Sequence, residues 1–549
     1  MTETRETGPG GTAGEPAAGW QRLDPRMLAV TPLRQLVGFL PVIVVVIVLG
    51  QQDLDGRVYG LLVGVLIVVV AGMLRWLTTR YRITEERIEL RSGLLFTSAR
   101  SVPRDRIRSV DLTAGPVHRV FGLSVVKIGT GEHAEGVESR ELALDAISAA
   151  EADRLRRLLL RRLTTDDRDG QISPDDTGPG DVQEPAREGA GARHGGAPEA
   201  GIELATLDWS WLRYAPLTTS SLVAVGAVAG AFAQFVGELD LGPSRLAELG
   251  GLSHQLGSAP LWLGITLVAL VLLAVALLGS VLIFVEAWWG FRLVREPGGT
   301  LRIHRGLLTT RSVSLEERRL RGIEVTEPLL MRLGRGARLT AVATGLGDGP
   351  GQGRGALLPP APLAATHRVA GLVLTENPSP VQAPLRAHPA VALRRRLVRA
   401  ALPVLLGAVL LGLGPRLVPG LALLPVWVGW AVLALLPVTV LLGVDAYRNL
   451  GHTLTERYLV TRHGAGARRT VALKRAGVIG WTISQSPFQR PAGLITLSAT
   501  TAAGSGAYHV IDVGTSEGLA VADHAVPGLL RPFLQCTEAD TKVARTSPG

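Results

Sequence analysis

Three short basic clusters carry the most legible chemistry in this 549-residue chain. They are Arg104, Arg106 and Arg108, then Arg318, Arg319 and Arg321, then Lys474 with Arg475. Each stands just ahead of an apolar run, in PRDRIRSVDL, EERRLRGIEV and KRAGVIGWTI. Cations grouped in this way bind phosphate or carboxylate, and beside a bilayer each adds about 1 kcal/mol of attraction to anionic head groups. Two readings stand side by side. The clusters contact anionic lipid, or they form an Arg-rich solvated face that Asp105, Glu316 and Glu317 partly neutralise. Aromatic residues are not interleaved with the arginines, so nucleic acid is not an expected partner.

Other reactive chemistry is sparse. The single Cys536 excludes an intramolecular disulfide and a Cys-based metal cluster, and the 11 His form no ligand-spaced pair. No nucleophile elbow or HExxH element occurs. GLGDGPGQGRG (345–355) loosely resembles a glycine-rich phosphate loop. The ALLPPAP that follows cannot open the helix such a loop requires, so it reads as a low-complexity loop. Glu286, beside Trp288 and Trp289, reads as an interfacial anchor at the end of an apolar window. No catalytic residue, cofactor or metal is expected, and the chain reads as a non-enzyme.

What positions the basic clusters is a membrane frame. Hydrophobic residues make up 47% of the chain and mean hydropathy is positive, while net charge is +10. Six windows contain no charged residue: 35–52, 58–74, 214–237, 255–285, 400–415 and 417–444. A bilayer takes roughly 20 apolar residues per helix, so the windows read as three transmembrane hairpins. Arg5, Arg22, Arg26 and Arg34 precede the first hairpin, and Arg75, Arg80 and Arg82 follow it. Its connector holds Asp53 and Asp55 against Arg57. The second connector holds Glu238, Asp240 and Glu248 against Arg245. Arg416 is alone in the third, whose approach carries Arg386, Arg394, Arg395, Arg396 and Arg399. The positive-inside rule then places the tips outward, with both termini and all large loops cytoplasmic. The first 34 residues lack an apolar segment of the signal-peptide kind.

One unit follows each hairpin: 81–131, 291–345 and 452–504. Counted from the turn glycines Gly93, Gly306 and Gly464, an apolar residue recurs nine places on (Val102, Leu315, Leu473). An arginine recurs twenty-six places on (Arg119, Arg332, Arg490). Period-2 alternation in Ile88, Glu89, Leu90 and Arg91 marks a strand, and the glycine a turn. Ser148 and Glu151 form a capping box at the start of an amphipathic helix over 148–163, with 363–375 and 517–535 as its counterparts. The pattern predicts a small barrel or sandwich plugged by one C-terminal helix.

YRIT.ER, RSGLL, VPRDRIRSV and a following FGL after a membrane hairpin resemble the bacterial pleckstrin-homology-like domain of the YdbS/YdbT membrane proteins. Three hairpin-plus-domain units resemble the longer, YdbT-like members. The second copy has three extra residues before its glycine, and the third has RHGAG in place of RSGLL. The resemblance implies a seven-strand barrel with a capping helix and no catalytic residues.

The expected order is an N-terminal tail (1–34), hairpin 1 (35–76), PH-like domain 1 (77–163) and a disordered linker (164–207). Hairpin 2 (208–289), domain 2 (290–378), a basic linker (379–399), hairpin 3 (400–444), domain 3 (445–536) and a tail (537–549) follow. The fold class is thus an α+β multi-domain membrane protein. Its expected place is the bacterial plasma membrane, with the bilayer as partner. Three functions are carried forward: a non-enzymatic scaffold with an envelope role, an anionic-lipid sensor or handler, and a subunit paired with a shorter hairpin-PH protein.

Overall fold

A computed structural model describes residues 20–27, 79–129, 142–156, 201–218, 261–345, 355–417 and 425–530, apart from short gaps and scattered positions of the first two hairpin windows. Structural statements below concern these residues. Two compact units are present: Met1–Glu199 with Leu308–Ser314, and Ala200–Leu307 with Leu315–Gly549.

In the first unit, β1 (Gln21–Arg22), β2 (Arg80–Ile83), β3 (Arg87–Ser92) and β4 (Ser98–Pro103) form one antiparallel sheet in that order. Then come β5 (Ser109–Ala114), α1 (Pro116–Val120), β6 (Leu123–Gly129), β7 (Leu142–Ser148) and α2 (149–156). Alternation aims Ile88, Val110, Val126 and Ile128 at one core, where Ala152 and Leu155 of α2 join them. The predicted capping residue holds, since the Ser148 hydroxyl accepts from the Glu151 amide at 3.3 Å. Four strands, three strands and a closing helix are the pattern the resemblance implied. Thr310–Ser314, from the second copy, also belongs to this unit and pairs antiparallel with β5.

The second unit opens with β8 (Ile202–Thr206) and α3 (Leu261–Trp288), followed by β9 (Arg292–Glu296) and β10 (Thr300–Arg305); β11 (Thr310–Glu316) comes next in the chain, with its residues Thr310–Ser314 in the first unit. Next are β12 (Leu320–Glu327), α4 (Leu329–Leu333), β13 (Gly336–Ala343), β14 (Ala356–Pro362) and α5 (Leu363–Leu374). The third copy contributes α6 (Ala390–Leu417), α7 (Trp427–Leu433) and α8 (Leu436–Arg448). Its β-domain is β15 (Gly451–Leu454), β16 (Tyr458–His463), β17 (Arg468–Lys474), β18 (Gly480–Ser484), β19 (Leu494–Thr500), β20 (Ala507–Gly514) and α9 (Thr515–Ala525). Gly306 and Gly464 turn with φ of +108° and +121°. At Gly464 a Cβ would lie 1.9 Å from the Ala467 carbonyl, so the turn demands glycine.

Three helical stretches are long and apolar enough to cross a bilayer: Ala269–Trp288, Ala390–Leu413 and Trp427–Arg448. The last two form an antiparallel hairpin in which Gly412 meets Gly429 and Ala400 meets Gly443. A Cβ on Gly429 would stand 2.8 Å from the Gly412 Cα, so small residues set this helix spacing. Windows 35–52 and most of 58–74 and 214–237 lie outside the described residues.

In each copy the β-structure includes a strand or bridge that precedes the expected hairpin. β1 pairs with β2 across the first expected hairpin, Gln21 opposite Tyr81. β8 pairs with β9 across the second, and a bridge joins Arg386 to His452 across the third. The expected N-terminal tail therefore contributes Leu23, Met27 and Val30 to the first core. The expected linker ends in a strand at 202–206. The expected basic linker is helical from Ala390, ten residues ahead of its charge-free window. Charged side chains in the first turns of α6 do not stop a helix whose other face packs on protein. Trp76 Nε1 donates to the Leu23 carbonyl at 3.2 Å and Tyr447 Oη to the His388 carbonyl at 3.1 Å, so in the first and third copies an aromatic group just ahead of the β-domain ties back to the segment that enters the expected hairpin.

Candidate functional site

A polar seam joins the second and third copies. β12 runs antiparallel to β17 from Gly322 opposite Leu473 to Glu327 opposite Arg468, completing a six-stranded sheet. A Cβ on Gly322 would sit 2.2 Å from the Ala472 carbonyl, so this glycine permits the close approach. Arg468 donates to Glu327 through Nε at 2.8 Å and again through Nη2, and Arg469 lies 3.8 Å from Glu324. Glu327 is buried, and the two-pronged contact gives both of its oxygens a donor.

The arginine marked by its spacing supplies a second tie. Arg332, on α4, meets Asp445 through both guanidinium nitrogens, at 3.0 and 2.9 Å. Asp445 stands on the last turn of α8, where it also accepts from Asn449 Nδ2 at 3.0 Å and the Gly466 amide at 3.1 Å. Asn449 in turn reaches the carbonyl of Gly464 at 3.0 Å. One carboxylate therefore links the second β-domain, the foot of the third hairpin and the third turn glycine. Arg119 lies exposed on α1 and Arg490 exposed in a short 3₁₀ turn, at the matching places.

A third tie holds α6. Asp512, fully buried on β20, accepts from Arg395, from Arg396 Nε at 3.1 Å and from Gln489 Nε2 at 2.9 Å. The sequence offered Arg395 and Arg396 only as flanking charge. In the fold they fasten the cytoplasm-ward foot expected for this helix to the β-domain. The only sequence signal was their i, i+1 placement ahead of an apolar window, which does not name Asp512.

The predicted basic clusters meet different fates. Arg104, Arg106 and Arg108, with Gly93, lie outside the described residues. Arg318 is exposed, while Arg319 pairs with Glu316 at 2.7 Å. Arg321 packs its stem against Gly477 and, across the seam, lowers the affinity of half-buried Lys474 for its proton, after burial itself. Arg475 caps the end of α9 by donating to the carbonyls of Ala525 at 2.8 Å and of His524. The fold thus brings Arg321 and Lys474 together at the β12–β17 seam.

Beside that helix a groove of about 570 Å³ is lined by Arg386, His452, Glu456, Arg475, Glu517 and His524, among others. His452 Nδ1 shares a proton with His388 Nε2 at 3.0 Å, and His388 Nδ1 bonds the Asp512 carbonyl at 3.1 Å. Burial, with Arg386 adding repulsion, holds the His452 pKa down to about 4. Its Nε2 lies 3.6 Å from Glu517 without a hydrogen bond. At neutral pH the ring is uncharged, so that contact is not an ion pair. Among the described residues no group of three or more His, Cys, Asp or Glu could hold a metal.

The family model for the bacterial PH domain matches residues 33–163 and 400–525. UPF0699 transmembrane protein YdbT of Bacillus subtilis is 24% identical over 457 residues, 82% of this chain and 85% of that protein. UPF0699 transmembrane protein YdbS of the same organism is 31% identical over 109 residues, 20% of this chain and 64% of that protein. No solved structure matches the chain. The chain is homologous to both proteins, as its repeat pattern indicated.

Two outcomes are expected. Arg332→Ala strands a partly buried carboxylate and should lower the stability of the full-length protein by about 2 kcal/mol in thermal unfolding. Its effect should vanish in the Asp445→Asn background, where no charge is left to satisfy. His452 binds its proton less readily folded than unfolded, so stability is intact above pH 6.5 and falls as pH drops toward about 4. Each pH unit in that window should cost about 1.4 kcal/mol at this group. His452→Gln should flatten the loss; an unchanged pH slope would assign it to another residue.

Proposed function

From homology to the UPF0699 transmembrane proteins, we propose that the chain is a membrane scaffold. Three hairpins present three PH-like β-domains at the inner face of the bacterial plasma membrane. The mounting carries this reading. The first strand or bridge of each domain precedes the hairpin and the next strand follows it, so the sheet grips both of the hairpin's ends. Asp445 and Asp512 fix the foot of the third hairpin further. A domain held in this way has a set height and orientation above the bilayer, which suits presentation of a surface to a protein partner. A shorter, single-hairpin relative is one candidate for that partner.

A second reading, anionic-lipid recognition, draws on the groove at the foot of the third hairpin. There Arg386 is exposed, next to the buried His452. A lipid phosphate entering the groove would meet the exposed Arg386 cation.

The scaffold reading fixes a topology. In intact cells, Cys536 as the sole cysteine should resist a membrane-impermeant maleimide and react after permeabilisation. In a Cys536→Ser background, Asp53→Cys should react from outside; the reverse pattern would reject the orientation. For the lipid reading, detergent-solubilised protein should gain thermal stability from short-chain phosphatidylglycerol and not from phosphatidylcholine. The gain should fade with salt and be lost in Arg386→Ala. Equal shifts from the two lipids would reject it.

A further inference from the structure

The two strand seams in this chain are one seam used twice. Counted from the turn glycines, Thr310–Ser314 and Arg468–Ala472 occupy the same five places of their copies, and so do Val110–Ala114 and Ile323–Glu327. Thr310 pairs with Ala114 and Ser314 with Val110; Arg468 pairs with Glu327 and Ala472 with Ile323. All five consecutive pairs agree, and the places keep their residue kind as well, with Arg311 matching Arg469, Val313 matching Val471 and Thr113 matching Thr326. The register is therefore a property of the repeat, since a one-residue slip would turn every side chain to the wrong face.

One strand of each kind is left over. β4 occupies the place of β11 and β17 and is the edge of its sheet. β18 occupies the place of β5 and β12 and is likewise an edge. Where the seam is formed, Ser312–Leu315 and Thr470–Leu473 are buried; on β4, Ala99, Arg100 and Ser101 are exposed. Val325 is 1% exposed, while Ile483, at the same place on β18, is 43% exposed and its neighbour Ile479 63%. The glycines agree. Gly322 makes room for the carbonyl of Ala472, whereas a Cβ on its counterpart Gly480 would meet nothing within 4 Å. β18 keeps the close-approach glycine of the seam with no strand approaching it.

We propose that β18 of one chain receives β4 of a second copy of this chain, in the register of the two internal seams. Gly480 then faces Val102 and Ile483 faces Ala99. The occupant is a second copy because the missing strand type is the one the first domain leaves unpaired, and the contact continues an interface the chain already forms twice. Such a contact is head-to-tail, so it closes into a ring or extends as a row in the plane of the membrane. Pro103, which has no amide to give, falls just beyond the paired span.

The test uses the full-length protein with Cys536→Ser, reconstituted in membranes. Ala99→Cys and Ile483→Cys chains, mixed and oxidised, should give a covalent dimer, and neither variant alone should. Ser101→Cys mixed with Ile483→Cys should give about tenfold less, since the thiols are then diagonal rather than opposed. Gly480→Ala, whose Cβ meets nothing within 4 Å in one chain, should leave thermal stability unchanged and abolish both cross-linking in the mixture and the higher-mass species in native mass spectrometry. Dimers of Ile483→Cys alone would overturn the proposal in favour of β18 pairing with itself. A disulfide within a single doubly substituted chain would overturn it in favour of internal closure. Absence of any cross-link, or capture of a different protein by Ile483→Cys, would overturn it as well.

Discussion

Unpaired backbone at a sheet edge is the constraint on which this architecture rests. A small β-domain split into sheets of four and three strands leaves rows of amide and carbonyl groups that no side chain can satisfy. In this chain the edges of successive copies serve each other. β12 accepts β17, and β5 accepts Thr310–Ser314. Side chains then adapt to a backbone contact that is already set. Glu327 and Arg468 add a buried ion pair at one seam, and Gly322 clears the space that the approaching carbonyl needs. The seam is consequently more regular than the sequence around it.

The same economy governs the attachment to the membrane. A hairpin inserted, as proposed, between the first two strands of a sheet would have both ends fixed by strand pairing and would need no long tether. What pairing leaves open, a few buried polar groups close. Asp512 holds two arginines of α6, and Asp445 gathers Arg332, Asn449 and the Gly466 amide at the foot of α8. Removing one member of such a group strands the others, so these ties are individually strong and mutually dependent. Their placement at the helix feet, rather than in the barrels, fits a design in which domain orientation matters as much as domain stability.

Much of this was legible before any coordinates, and the boundary of legibility is physical. Spacing from the turn glycine located Arg332, Leu315 and Leu473 because a repeat preserves distances along the chain. Capping at Ser148 and the helix at 363–374 followed from local rules. The entering strands were missed for the opposite reason. Gln21–Arg22 is two residues long, and its partner lies beyond an entire hairpin, so no local period announces it. Arg395 and Arg396 read as positive-inside flanks, since nothing near them in sequence suggests a carboxylate more than a hundred residues on. Arg475 read as a member of a basic cluster and is instead spent on the carbonyls that end α9. Charge was visible; its partner was not.

Three copies in one chain change what a weak edge contact can do. A single seam of five or six residue pairs between separate molecules must overcome the entropy of association, whereas a tethered copy meets its neighbour at a high effective concentration. Internal seams can therefore form with or without a buried ion pair, since Arg468 meets Glu327 where Thr310 meets Ala114. The terminal edges β4 and β18 lack that tether. In the proposed arrangement, confinement to a membrane would supply a partial substitute, because hairpins fixed at both ends would hold every β4 and every β18 at a set height and leave only lateral search. An edge too weak to pair in free solution would become competent in that plane, so hairpins and strand edges would work as one device rather than as an anchor and its cargo.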